Sequence, residues 1–194
     1  MTKLIKSFIL LLSFVLILVA CGAKDIPNRK NWAVESFSYT DQNENTVTLE
    51  QLKGEVWIAD FVFTNCIDVC PPMTRNMKKV QDRLKEENLD VKIVSFTVDP
   101  EFDTPQVLAN YAETYKADQS SWYFLTGYTQ KHIEQFALKS FKALVSKPAD
   151  SDLVIHGTDF YLIDKTGTIA QYYSGLNDIP VETIIEHAKI LVRE

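Results

Sequence analysis

Cys66 and Cys70 stand with three residues between them in the run Phe61-Val62-Phe63-Thr64-Asn65-Cys66-Ile67-Asp68-Val69-Cys70-Pro71-Pro72-Met73, where an apolar strand gives way to a helix. Two thiols this close can oxidise to a disulfide, or as thiolates can jointly grip a soft metal ion. A disulfide needs Cα atoms about 4.4–6.8 Å apart, and positions i and i+4 of a helix rise by about 6 Å, so this pair can be bridged. Lying ahead of a helix, both thiols also feel free N–H groups and the positive end of the helix dipole, which favour thiolate. Two buried structural thiols are the plain alternative, but free cysteines outside the cytoplasm are liabilities unless used or paired.

The compartment is read from the remaining cysteine. Residues 1–20 carry Lys3 and Lys6, then an apolar stretch from Phe8 to Ala20 broken only by Ser13. That stretch is too short to span a bilayer comfortably and has the length of a signal-peptide core. It ends in Leu18-Val19-Ala20-Cys21-Gly22, which resembles the lipobox of bacterial lipoproteins, where the cysteine is lipidated and becomes the new N-terminus. The alternative is a short N-terminal anchor or buried helix with an incidental cysteine. The expectation is a signal peptide over 1–20, a lipid on Cys21, and a folded part on the extracytoplasmic side of a bacterial cell membrane.

Without its leader the 194-residue chain keeps enough length for one domain with a real core and needs no disulfide framework to stabilise it. The leader takes two lysines and no acids with it, so the formal net charge moves from −6 to −8. That balance argues against nucleic acid and against a polybasic membrane contact. Gly22 to Asn31 is polar and without apolar periodicity; residues 21–31 read as a membrane tether of at most about 33–36 Å, and 32–194 as the domain.

Within that domain Val34 to Tyr39 and Thr46 to Leu49, separated by Asp41-Gln42-Asn43-Glu44-Asn45, read as a hairpin. Val56 to Phe63 is nearly continuous apolar sequence, as in a central strand covered on both faces. A helix is expected from Pro71-Pro72, with Met73, Met77, Val80 and Leu84 inward. Val91 to Val98 is a second strand, and Thr104-Pro105 has the pattern of an N-cap and first-turn proline. Trp122 to Leu125 is a third strand, followed by a helix with an Ile133, Phe136, Ala137, Ser140 and Phe141 stripe. Asp159 to Asp164 and Thr168 to Tyr172 form a hairpin about Lys165-Thr166-Gly167, and Ile184, Ile185, Ala188, Leu191 and Val192 line a last helix. The order is α/β with a mixed sheet flanked by helices, and it resembles the thioredoxin-like arrangement with an added N-terminal β-hairpin.

The chain offers three histidines as a third ligand. His156, 86 residues beyond Cys70, lies just before the strand that starts near Phe160, in a loop that faces the cysteine tip of such a sheet. It can close a Cys₂His site, although from position alone a lone histidine is more often a satisfied polar residue. His132 and His187 lie in amphipathic helices and read as solvated.

Asp60 to Cys66 with Cys70-Pro71-Pro72-Met73, the segment Ser95 to Pro105 with its Val98-Asp99-Pro100, and Val154-Ile155-His156 with Phe160 to Ile163 together resemble the Sco/SenC family, which assists assembly of the dinuclear copper centre of cytochrome c oxidase. The resemblance runs over essentially the whole mature domain. It implies that Cys66, Cys70 and His156 bind copper, that the partner is the copper-bearing oxidase subunit, and that Asp99 matches the acid of a segment near the site. Thiolates suit Cu(I) and an added imidazole helps to hold Cu(II), so the pocket can carry either state. Without geometry, Asp99 reads better as a carboxylate ending a strand or capping a turn. Asp68 reads as solvated, and Met73 and Met77 as core.

Three functions follow. The first is a membrane-tethered copper-delivery or assembly factor. The second is a thiol–disulfide oxidoreductase that reduces the copper-ligand cysteines of the oxidase subunit through Cys66 and Cys70. The third is a peroxidase-like enzyme, for which the chain carries no activating Arg motif. Three residues between the cysteines, and a histidine where thioredoxin-type reductases have a proline, favour metal.

Overall fold

The computed structural model describes residues 25–148 and 153–194, so the leader and Cys21 lie outside the described residues. The elements are β1 (Trp32–Ala33), β2 (Ser38–Thr40), β3 (Thr46–Thr48), α1 (Leu49–Leu52), β4 (Val56–Val62), α2 (Cys70–Glu86), β5 (Val91–Thr97), α3 (Pro105–Thr114), β6 (Trp122–Leu125), α4 (Gln130–Phe136), β7 (Val145–Ser146), β8 (Ile155–His156), β9 (Asp159–Ile163), β10 (Thr168–Ser174) and α5 (Val181–Arg193). Helix α4 runs on into a π-helical turn, Ala137–Phe141.

The main sheet has the order β1-β10-β9-β4-β5-β6. Strands β4, β5 and β6 are parallel, while β9 is antiparallel to both β4 and β10. Every residue of β4 is buried because both faces are covered. Successive side chains point to opposite faces, so Trp57, Ala59 and Phe61 enter one core and Val56, Ile58 and Val62 the other. The first core packs under the β2–β3 hairpin, α4 and its π turn; the second packs under α2, α3 and α5. This is the thioredoxin-like mixed sheet with a separate N-terminal hairpin that the pattern predicted.

Thr104 caps α3 from its side chain, with Pro105 in the first turn, as expected. Three details differ. Leu49, expected to end a strand, opens α1, because Thr48 and Gln51 form a reciprocal capping box. Helix α2 starts at Cys70, so the second thiol belongs to its first turn. His156 lies in a two-residue strand of its own, with Val145 opposite His156 in a small antiparallel pair with β7.

The segment expected to tether the domain is docked on it from Ile26 onward. Ile26 is 2% exposed and lies in the core with Tyr173, Ile184 and Ile185, a burial worth about 2 kcal/mol. Lys30 N donates to Ala170 O at 2.9 Å and Gln171 Nε2 to Pro27 O at 2.9 Å. The Arg29 guanidinium holds Asp164 at 2.7 Å and the Glu194 side chain at 2.8 Å. A polar run without periodicity folds back because it covers the edge of β10, whose backbone groups would otherwise be unpaired. Among the described residues, no helix is long and apolar enough to cross a membrane.

Candidate metal centre

Strand β4 delivers the cysteine loop at its carboxyl end, and the loop is pinned from the neighbouring strand. Asp103, fully buried beyond β5, accepts from the Thr64 backbone N–H at 3.2 Å, from the Thr64 hydroxyl at 2.5 Å and from the Thr97 hydroxyl. Burial pushes its carboxyl above the usual range against those hydrogen bonds. Cys66 N donates to Phe63 O at 3.3 Å and Cys70 N donates to Cys66 Sγ at 3.4 Å. The cysteines are free thiols, both buried, while Ile67 between them is 91% exposed.

From the opposite side β8 brings His156 Nε2 to 3.3 Å from Cys70 Sγ. Its Nδ1 lies 2.8 Å from Gly157 O, and a carbonyl can only accept. The neutral ring therefore carries its proton on Nδ1 and turns the Nε2 lone pair toward the sulfurs, the tautomer a metal ligand needs. Phe63 packs edge-on to the imidazole at 5.7 Å between centroids.

The two thiols are electrostatically unlike. Burial alone would raise Cys66, but hydrogen bonding with His156 and from the backbone of Cys70 and Asp68 outweighs it and holds the thiol down at about 6. Burial pushes Cys70 well above the usual thiol range, and the adjacent Cys66 adds to the shift. His156 thus meets both sulfurs: its Nε2 lies 3.3 Å from Cys70 Sγ, and its hydrogen bonding is the largest influence that lowers the Cys66 thiol.

Asp60 is fully buried six residues before Cys66. Its Oδ1 accepts from Ser95 Oγ at 2.5 Å, and Oδ2 has no hydrogen-bond partner. Burial pushes this carboxyl up to about 7, with Ser95 and His156 opposing.

The other candidates fall as follows. Asp99 is buried and ion-paired to Lys147 Nζ at 2.7 Å, while its carbonyl accepts from the N–H groups of Phe102 and Asp103 to form the turn after β5. Asp68 is exposed, and Met73 and Met77 are fully buried. His132 is exposed but hydrogen-bonded to the Tyr39 hydroxyl at 2.7 Å, and His187 to the Tyr173 hydroxyl at 2.7 Å, so neither is merely solvated. Sequence reasoning passed over Asp60 and Asp103. A single acid in an otherwise unbroken apolar strand was the signal for Asp60; Asp103 gave none, because its partners come from two other segments.

Among the described residues no three His, Cys, Asp or Glu side chains already form a closed coordination cluster. The donor types nevertheless fit a soft ion: two thiolates and one imidazole with a fixed tautomer. A sulfur and a nitrogen on a metal with bonds of about 2.3 and 2.0 Å stand about 3.5–3.7 Å apart in tetrahedral or trigonal sites. The 3.3 Å separation of Cys70 Sγ and His156 Nε2 needs to open by only a few tenths of an ångström.

Fold and site together define a class: a thioredoxin-like domain that presents two thiols and an imidazole at the carboxyl end of its central strand. Residues 27–193 match the family model described as SCO1/SenC. The chain is 49% identical over 187 residues to the SCO1 protein homolog of Bacillus subtilis (strain 168), covering 96% of each. It is similar to a solved SCO1/SenC family lipoprotein from Bacillus anthracis str. Ames, with a TM-score of 0.83 at 46% identity over 86% of this chain and 98% of that one. BsSco, described as a member of the Sco family of cytochrome c oxidase assembly proteins with a disulfide switch, gives a TM-score of 0.81 at 48% identity over 87% and 98%. Arabidopsis thaliana ScoI, solved with copper bound, is more distant at 27% identity and a TM-score of 0.70 over 84% and 100%. The chain belongs to the SCO1/SenC family.

Proposed function

We propose that this protein is a membrane-tethered copper-binding assembly factor that helps to build the dinuclear copper centre of cytochrome c oxidase, with copper as cargo held by Cys66, Cys70 and His156. One observation carries the reading: Nδ1 of His156 is committed to Gly157 O while Nε2 points at Cys70 Sγ from 3.3 Å. A disulfide reductase has no need of an imidazole oriented in this way. Copper-bound and oxidase-assembly relatives support the same assignment. Copper itself supplies one-electron redox chemistry and affinity for thiolate; the chain's residues bind and orient it. The Phe63 ring and the buried setting of both thiols limit the access of water to the sulfurs. Cys21, as a lipidated N-terminus, would hold the domain on the extracytoplasmic face, and a lipoprotein relative supports that.

The test is anaerobic titration of the reduced domain with Cu(I) and Cu(II). One-to-one binding that weakens in both Cys66→Ser and His156→Ala is expected; binding indifferent to His156 would sink the assignment. A second reading, the thiol–disulfide oxidoreductase acting on the oxidase subunit's copper-ligand cysteines, is favoured by the unequal thiols. Cys66 is ionised at neutral pH and Cys70 is not, as in an attacking and a resolving thiol. Rapid exchange with a model disulfide through Cys66, at rates untouched by His156→Ala, would support it.

A further inference from the structure

Strand β1 closes one edge of the sheet, and on that edge two aromatic rings and a lysine meet. Trp32 stacks on Tyr172 with centroids 6.0 Å apart and planes 22° from parallel. Lys30 Nζ lies 5.2 Å from the centroid of the same Tyr172 ring, which is 39% exposed. Tryptophan and tyrosine favour the headgroup layer of a bilayer, where an aromatic body meets apolar matter and a polar tip meets water, and lysine there meets phosphate. A lone exposed aromatic residue would call for no explanation. This pair, with Trp32 half-buried against the first core, lies on the edge along which residues 26–31 run.

Because residues 26–31 run along β10, the free length of chain ahead of the domain is short. Between Cys21 and Asp25 there are only Gly22, Ala23 and Lys24, and four residue steps span at most about 14 Å. A domain of this size has a radius of gyration of about 15 Å, and so is about 40 Å across. A tether shorter than the domain's radius does not let it tumble above a membrane. The exit point is defined as well: Pro27 is bonded to Gln171, and Ile26 packs in the same core as Tyr173, so the chain departs at the β10 edge, from the sheet face opposite the one that Tyr172 presents.

We infer that the β1–β10 edge, through Lys30, Trp32 and Tyr172, lies in the headgroup layer of the membrane that carries the lipidated Cys21. This rests on the lipid anchoring proposed above. It specifies a bilayer surface as the occupant of that edge, because the short tether leaves the domain along the same edge that carries the aromatic pair. No polybasic patch is required: a lipid chain supplies the affinity and the edge supplies orientation.

The orientation has a functional result. Tyr172 is opposite Tyr161 of β9, and Tyr161 is opposite Ala59 of β4, next to Asp60 at the site end of that strand. Two strand spacings, about 10 Å, therefore separate the membrane-seated edge from the strand that carries the cysteine loop. In that orientation the strand that carries the thiols would lie within about 10 Å of the membrane-seated edge.

Fluorescence gives the test, because the chain's three tryptophans are Trp32, Trp57 and Trp122, and the last two are fully buried. The full chain is purified from bacterial membranes, and mass spectrometry reads the modification of Cys21. It is then reconstituted in phosphatidylglycerol–phosphatidylcholine vesicles carrying a nitroxide on the shallow part of one acyl chain. The expected result is a quenched, blue-shifted emission component that is lost in Trp32→Phe, with copper binding by that variant unchanged. An unmodified Cys21 overturns the anchoring reading and this proposal with it. A lipidated chain whose Trp32 is unquenched overturns this proposal alone. Trp32 shielded from aqueous iodide yet untouched by the nitroxide would place a second copy or another protein on the edge, and equally refutes the membrane assignment.

Discussion

The inequality of the two thiols predicts a titration that can be followed directly. With Cys66 at about 6, its thiolate fraction is about nine-tenths at pH 7, whereas an ordinary thiol near 8.5 is about 3% ionised. Cys70 stays protonated throughout this range because burial holds it up. Absorbance at 240 nm of the reduced domain should therefore rise by one thiolate with a midpoint near pH 6, and the rise should vanish in Cys66→Ser. Alkylation rates sharpen the point. A thiolate of lower pKa is a weaker nucleophile, and with a Brønsted slope of about 0.4–0.5 a 2.5-unit difference makes each Cys66 thiolate about 13-fold slower. At pH 7 that nearly cancels the roughly 30-fold advantage in thiolate, leaving iodoacetamide only about twofold faster than with a free thiol. At pH 5 the thiolate advantage is nearly 300-fold, and about 20-fold survives in rate. His156→Ala should move the midpoint upward, since the imidazole is the largest of the influences that lower it. Two thiolates appearing together near pH 8.5, or a midpoint unmoved by His156→Ala, would refute the argument.

Asp60→Asn removes a buried carboxyl whose pKa is raised to about 7 in the fold. A carboxyl raised above its unfolded value destabilises progressively as pH rises from about 4 toward 7, so the variant should gain on the order of 4 kcal/mol at pH 7.5 and little at pH 4 in urea denaturation. Asp103→Ala leaves Thr64 N and two hydroxyls without their acceptor; it should cost about 2–3 kcal/mol and weaken copper binding by loosening the cysteine loop, read by calorimetry on the same sample. Ile26→Ala should cost about 2–4 kcal/mol and speed hydrogen exchange at Lys30 while α2 stays protected; unchanged exchange would show the segment to be incidental.

Much of this architecture was readable from pattern. Val56–Val62 reads as a doubly covered strand, and the proline pair behind Cys70 marked the start of a helix, which the structure opens one residue earlier, at Cys70. What escaped had no local signal. The run from Ile26 to Asn31 looks like linker because its order comes from Gln171, Asp164 and Glu194, more than 130 residues away. The β7–β8 pair is too short for a period to register. The role of Asp103 depends on Thr64 and Thr97, which no spacing rule connects to it.

The three donors are not held with equal grip. Cys70 opens a 17-residue helix, so moving it means unwinding a turn that Val69, Met73 and Thr74 also hold. His156 sits on a ribbon two residues long, whose few ladder bonds are worth about 1 kcal/mol each. In the proposed copper site the imidazole would therefore be the donor to leave first and return first. A copper ion held as proposed would be released from nitrogen before sulfur. Faster amide exchange across Val145, Ser146 and Ile155 than along α2 is the measurement that would bear this ordering out.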